Sequence, residues 1–163
     1  MAQPSPFILS QRFSQLVGRK TTFTQVTAAP VTKLKQIYGI YNVVAADGAV
    51  VVQADFRLIG SFGGALIGLP DGAVKERLAT VPIEECLRDA MYEVLNIASP
   101  AVSTEARVVF DKFVMDQVYV DGAAGDVLKK PHHRSFFNVA VDGYEGGRFS
   151  ILAPFIPGRT VTA

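Results

Sequence analysis

Apolar positions along the chain follow two periods. The clearest helical one runs through residues 80–100, TVPIEECLRDAMYEVLNIASP. At about 100° per residue, Leu87, Ala90, Met91, Val94 and Ala98 form one stripe, as on a helix that lies against a core. Asp89, Glu93 and Asn96, spaced i, i+4, i+7, share a narrow strip on the other side. A second helix is predicted over 55–70, DFRLIGSFGGALIGLP, where Leu58, Phe62, Leu66 and Leu69 recur at helical intervals and Pro70-Asp71-Gly72 stops the run. A short helix over 7–17 is closed by Gly18. Period two and β-branched residues predict strands over 21–28, 36–45, 49–54, 134–142 and 148–154. Asp47-Gly48 marks a tight hairpin and residues 143–147 a second hairpin loop. The long run 105–120 changes phase near Asp111-Lys112, which predicts two strands or one bent strand. Residues 122–125, GAAG, read as a flexible turn. Helix, three strands, two helices, three strands is an α+β order: a mostly antiparallel sheet with two helices packed on one face. Residues 1–20 make an N-terminal tail and short helix, and residues 21–163 a single domain.

Composition narrows this picture. At 163 residues the chain is long enough to bury a substantial core, and 49% hydrophobic against 19% charged residues excludes disorder. A net charge of +1 gives no reason to expect nucleic acid or an anionic membrane as partner. A single cysteine, Cys86, leaves no disulfide framework and fits a reducing cytoplasm. The first residues have no basic segment, and their apolar run is too short for a signal or membrane span. Gly60, Gly64 and Gly68 form their own stripe at i, i+4, i+8. Each costs a helix about 1 kcal/mol relative to alanine, so a second helix is expected to approach that side closely. No G-x-G-x-x-G and no terminal Gly-Lys-Ser/Thr supports a nucleotide loop.

Other chemistry-bearing residues carry less. Lys129, Lys130, His132, His133 and Arg134 form a basic cluster in a connection between strands, a solvated loop by default. Two adjacent histidines on a strand point to opposite sides, which disfavours a shared metal. No G-x-S-x-G elbow is present. Cys86, near the border between the faces of the main helix, is expected to be a small packed residue rather than a nucleophile.

The polar strip has an ordinary reading, since every surface helix needs a solvated face. Two anions one turn apart nevertheless repel, so an isolated helix gains nothing from them and a partner's cation would. Asn96, a poor helix former in mid-helix with apolar residues on both sides, is the unusual member.

The stretch LRDAMYEVLNIAS resembles the signature helix of the CheC/CheX/FliY family of chemotaxis phosphatases, in which an Asp or Ser is followed by E-x-x-N: here Asp89, Glu93 and Asn96. The small-residue-rich segment GSFGGALIGLP upstream and the strands downstream match the family's element order, so the likeness spans 21–154. Only one such helix is present, which resembles CheX rather than the duplicated CheC and FliY, and implies a CheX-like fold and a homodimer. The chain departs from the family where Val118 and Tyr119 replace a common proline and where IASPA follows Asn96 in place of a glycine-bearing turn. The resemblance implies hydrolysis of the aspartyl phosphate on a CheY-type response regulator. Asn96 would orient the attacking water, Glu93 would pair with the regulator's lysine, and Asp89 would contact the partner. It implies no cofactor of the chain's own, Mg²⁺ being supplied by the regulator, and a cytoplasmic location. A non-catalytic module of the same fold, docking a regulator or a flagellar or motility component, is the alternative.

Overall fold

The computed structural model describes residues 4–27, 33–103 and 106–155. One six-stranded sheet runs through it, built from β1 (Thr21–Val26), β2 (Gln36–Val43), β3 (Ala49–Asp55), β4 (Val108–Val114), β5 (His133–Val141) and β6 (Tyr144–Ala153). The strand order is β1-β5-β6-β3-β2-β4, and every neighbouring pair is antiparallel. The α+β class and the antiparallel sheet expected from the sequence are both present. The hairpin at Asp47-Gly48 joins β2 to β3, with Asn42 opposite Ala49. The expected bend in the long run is a bulge: Ile40 faces Lys112 and Tyr41 faces Phe110, so Asp111 is the extra residue on β4. Beyond Val114 the chain leaves the sheet for a 3-10 turn, Gln117–Tyr119, so Val118 and Tyr119 lie on no strand.

Four helices gather on one face. These are α1 (Pro6–Val17), α2 (Phe56–Leu66), α4 (Glu85–Ile97) and the short α5 (Ser99–Val102), whose buried residues join one apolar cluster with the sheet. Phe13 of α1 sits among Phe23, Phe62 and Phe149, at ring-centroid distances of 5.1, 4.8 and 5.7 Å. α2 is shorter than its apolar pattern: Gly68 adopts a left-handed backbone (φ 77°) and Pro70 precedes a separate helix, α3 (Asp71–Leu78). The glycine stripe does admit close neighbours. A Cβ at Gly60 would collide with the Leu78 side chain and one at Gly64 with Val74, both of α3. At Gly63 it would lie 2.9 Å from Met91 Cγ and 3.0 Å from its backbone N, so α4 packs against α2 almost backbone to backbone. Gly68 is a helix stop and not a member of that stripe.

The opposite face is covered too, by α6 (Gly122–Lys129). Residues 122–125, expected as a turn, are its first turn. Gly122 takes a left-handed φ of 59°, Gly125 lets the helix approach the Val120 carbonyl, and Ala124 and Val127 reach Tyr38, Ile40 and Val51. Apolar cover on both faces explains why β2 and β3 read as nearly continuous apolar runs. No helix among the described residues is long and apolar enough to cross a membrane.

Candidate functional site

α4 is the element that carries the polar strip. Its sequence, ECLRDAMYEVLNI, contains neither Gly nor Pro, and Glu85 in the first turn suits the positive end of the helix dipole. Leu87, Met91, Val94 and Leu95 are fully buried. Each such side chain contributes roughly 1.5–3 kcal/mol by leaving water, so the helix cannot roll about its axis cheaply. Its last turn is tied down separately. The buried Tyr41 hydroxyl donates to the Leu95 carbonyl at 2.6 Å, and Ser99 Oγ donates to the Asn96 carbonyl at 2.7 Å. Burial pushes the Tyr41 phenol far above its ordinary value, so it remains a donor across the physiological range.

Asp89, Glu93 and Asn96 all lie on the solvent side of this fixed helix. Residues at such spacings have Cβ atoms about 5–6 Å apart, so the structure brings the three together as the spacing implied. Among the described residues none of their side chains makes a hydrogen bond or ion pair within the chain. Two carboxylates and a carboxamide are thus left with their full capacity for an outside partner. Asn96 also lines a shallow cleft of about 440 Å³ with Ser99, Pro100, Ser103 and Arg107.

The spacing did not flag what borders the strip. Tyr92 is 42% exposed and Ile97 47%, an unusual pair of apolar groups beside three polar ones. Tyr92 stacks edge-on against Phe110 at 4.9 Å and its hydroxyl reaches the Asp111 carbonyl at 3.5 Å, at the bulge of β4. Their position next to Glu93 and Asn96 in sequence was the available signal. Exposed Tyr92 and Ile97 add to the strip an aromatic and an aliphatic group, and aromatic residues are enriched where proteins dock on one another.

Two further candidates fare differently. Cys86 was expected to pack and is instead exposed. It lies ten residues from Asn96, about 15 Å along the axis, so the two cannot act on one reacting atom. The basic cluster is divided between the end of α6 and the start of β5. His132 packs edge-on against His133 at 4.5 Å and Phe155 at 5.1 Å, so that segment is partly a ring cluster rather than a free loop.

No family model matches the sequence, and no curated protein does. Solved structures do match in fold. Thermotoga maritima FliY superposes with a TM-score of 0.55 at 14% identity, covering 89% of this chain and 82% of that one. The FliG-FliM complex from H. pylori gives 0.60 at 10% identity, with 91% and 86% covered. The CheX-CheY-BeF3-Mg²⁺ complex from Borrelia burgdorferi gives 0.53 at 10% identity, with 94% and 100% covered. At these identities the likeness establishes the fold, which is the one that the resemblance of the α4 sequence implied.

Proposed function

We propose that this chain acts on a CheY-type response regulator in chemotaxis or a related two-component system, docking it on the exposed face of α4 and hydrolysing its aspartyl phosphate. One observation carries the reading. Asp89, Glu93 and Asn96 stand together, exposed and with no partner among the described residues, on a helix locked by its buried face and by Tyr41. Acidic groups on such a strip suit a partner with a lysine at its reacting centre. A neutral carboxamide can enter beside a phosphoryl group without repelling it.

In this reading a water held in line attacks phosphorus, the bond to the regulator's aspartyl oxygen breaks, and the products are inorganic phosphate and the free carboxylate. The regulator brings Mg²⁺ that neutralises the phosphoryl oxygens, and the chain needs no cofactor of its own. Asn96 contributes position: its carbonyl accepts from the water while its amide donates toward the phosphoryl group. Glu93 fixes register by pairing with the regulator's lysine. Asp89, one turn earlier, contacts the partner, and Tyr92 and Ile97 supply apolar area at the rim. Such work belongs in the cytoplasm, and the CheX likeness favours a homodimer.

The binding-module alternative has its own support, since FliY and a FliM found in complex with FliG share the fold. Incubating the protein with a panel of receiver domains phosphorylated by acetyl phosphate separates the two. The proposal expects at least one to lose phosphate faster than in buffer. Binding to a receiver with no acceleration for any of them overturns hydrolysis and leaves the docking module.

A further inference from the structure

A second surface adjoins α4 at the end away from Asn96, where Arg88 lies eight residues before it. The linker from α3 to α4 (Thr80, Val81, Pro82, Ile83) and the end of β4 with the turn after it (Phe113, Met115, Tyr119) wall a groove of about 430 Å³. Pockets that bury a ligand fall in this size range, so there is room for more than one large apolar side chain. Its lips are unusually apolar for solvent-facing positions: Val81 is 87% exposed and Tyr119 67%. Nothing in the α4 strip accounts for them.

Among the lining residues the charge is one-sided, while exposed Glu84 and Asp116 follow the lining residues Ile83 and Met115 in the chain. Lys35 and Arg88 line it, and no lining residue is acidic. The Lys35 ammonium lies over the Phe56 ring at 4.6 Å and the Arg88 guanidinium over Phe113 at 6.0 Å, so both cations rest on aromatic faces beside the apolar floor. Among the described residues neither forms an ion pair within the chain. A purely apolar occupant would strip water from two cations without replacing it, and a basic one would be repelled. An occupant that offers carboxylates next to its apolar anchor meets both demands.

We infer that this groove binds a short peptide segment of a partner protein in which large apolar side chains are flanked by Asp or Glu. Val118, next to Tyr119 in the chain and 71% exposed, adds apolar surface beyond the residues that line the cavity, which fits a length of chain better than a compact solute. The inference is independent of hydrolysis at Asn96, because it concerns neither a phosphoryl group nor the Asp89-Glu93-Asn96 strip.

Fluorescence anisotropy with two labelled peptides tests it, one with Leu and Phe flanked by Asp and Glu, the other with those acids replaced by Lys. The acidic peptide should bind saturably, weaken as salt rises, and lose roughly tenfold in affinity on Arg88→Glu. Val81→Asp, at another exposed position, should weaken it as well, and the Lys peptide should not bind. Equal binding of both peptides, no binding of either, or an Arg88→Glu variant that binds as wild type overturns the inference. So does self-association in light scattering that Val81→Asp abolishes, which would make a second copy the occupant. No phosphorylated receiver is present, so none of these results bears on catalysis.

Discussion

At the scale of single residues, Tyr41 ties down the turn of α4 that carries Asn96, through its bond to the neighbouring Leu95 carbonyl. Tyr41→Phe leaves the Leu95 carbonyl without its buried donor and should cost about 1–3 kcal/mol in urea denaturation. Because Tyr41 stays protonated, the cost of Tyr41→Phe should not vary between about pH 6 and 9. A variant as stable as wild type would show that the bond does not hold α4. Glu93→Ala removes a charge-assisted contact in the proposed complex, so the regulator concentration needed for half-maximal rate should rise roughly tenfold or more. An unchanged concentration dependence would take Glu93 out of the interface. The exposure of Asp89, Glu93 and Asn96 was legible because a helical wheel fixes the centre of a face. It does not fix the border, where a neighbouring element decides, and so the exposure of Cys86, Tyr92 and Ile97 is not written in the spacing.

At the scale of elements, glycines decide how closely the helices sit. Gly63→Ala forces a methyl against the Met91 backbone and should cost about 1–3 kcal/mol, moving α4 and lowering activity with it. Gly72, in α3, has open space where its Cβ would be, so Gly72→Ala should be neutral or stabilise by up to about 1 kcal/mol. Thermal or urea denaturation of the pair reads this contrast, and equal effects would contradict the packing described. The glycine stripe did announce a close approach. It did not announce α3, whose sequence DGAVKERL has only Val74 and Leu78 as large apolar residues and so lacks a strong periodic signal. α6 was missed for a related reason: two glycines in GAAGDVLK suggest a turn, and only the sheet beneath makes its small apolar stripe worth burying.

At the scale of the whole molecule, an ion-paired corner joins distant parts of the chain. Asp71 of α3 accepts from the Glu145 backbone N–H at 2.9 Å and pairs with Arg57 at 2.7 Å, tying the helices to β6. The Glu145 N–H first, and Arg57 next, hold its carboxyl below the ordinary carboxylate value. A lowered folded-state value means a stabilisation that is complete above the ordinary carboxylate range and lost as pH falls through it toward that lowered value. The urea midpoint should therefore fall in acid, and Asp71→Asn should flatten that fall. The sheet also ends in two strands with one neighbour each, β1 and β4, and the expected homodimer should give a dimer mass by light scattering at tens of micromolar in roughly physiological salt. The strands and the two long apolar helices were legible because each reports local burial, whereas α3, α5 and the cover of the second face by α6 depend on contacts far apart in sequence. The central claim is an action on another molecule, and single-turnover phosphate release from a responsive receiver, at saturating wild-type protein and saturating Asn96→Ala, tests it most directly. The account predicts that Asn96→Ala still binds the receiver but releases phosphate about a hundredfold or more slowly. Equal rates for the two proteins would contradict it.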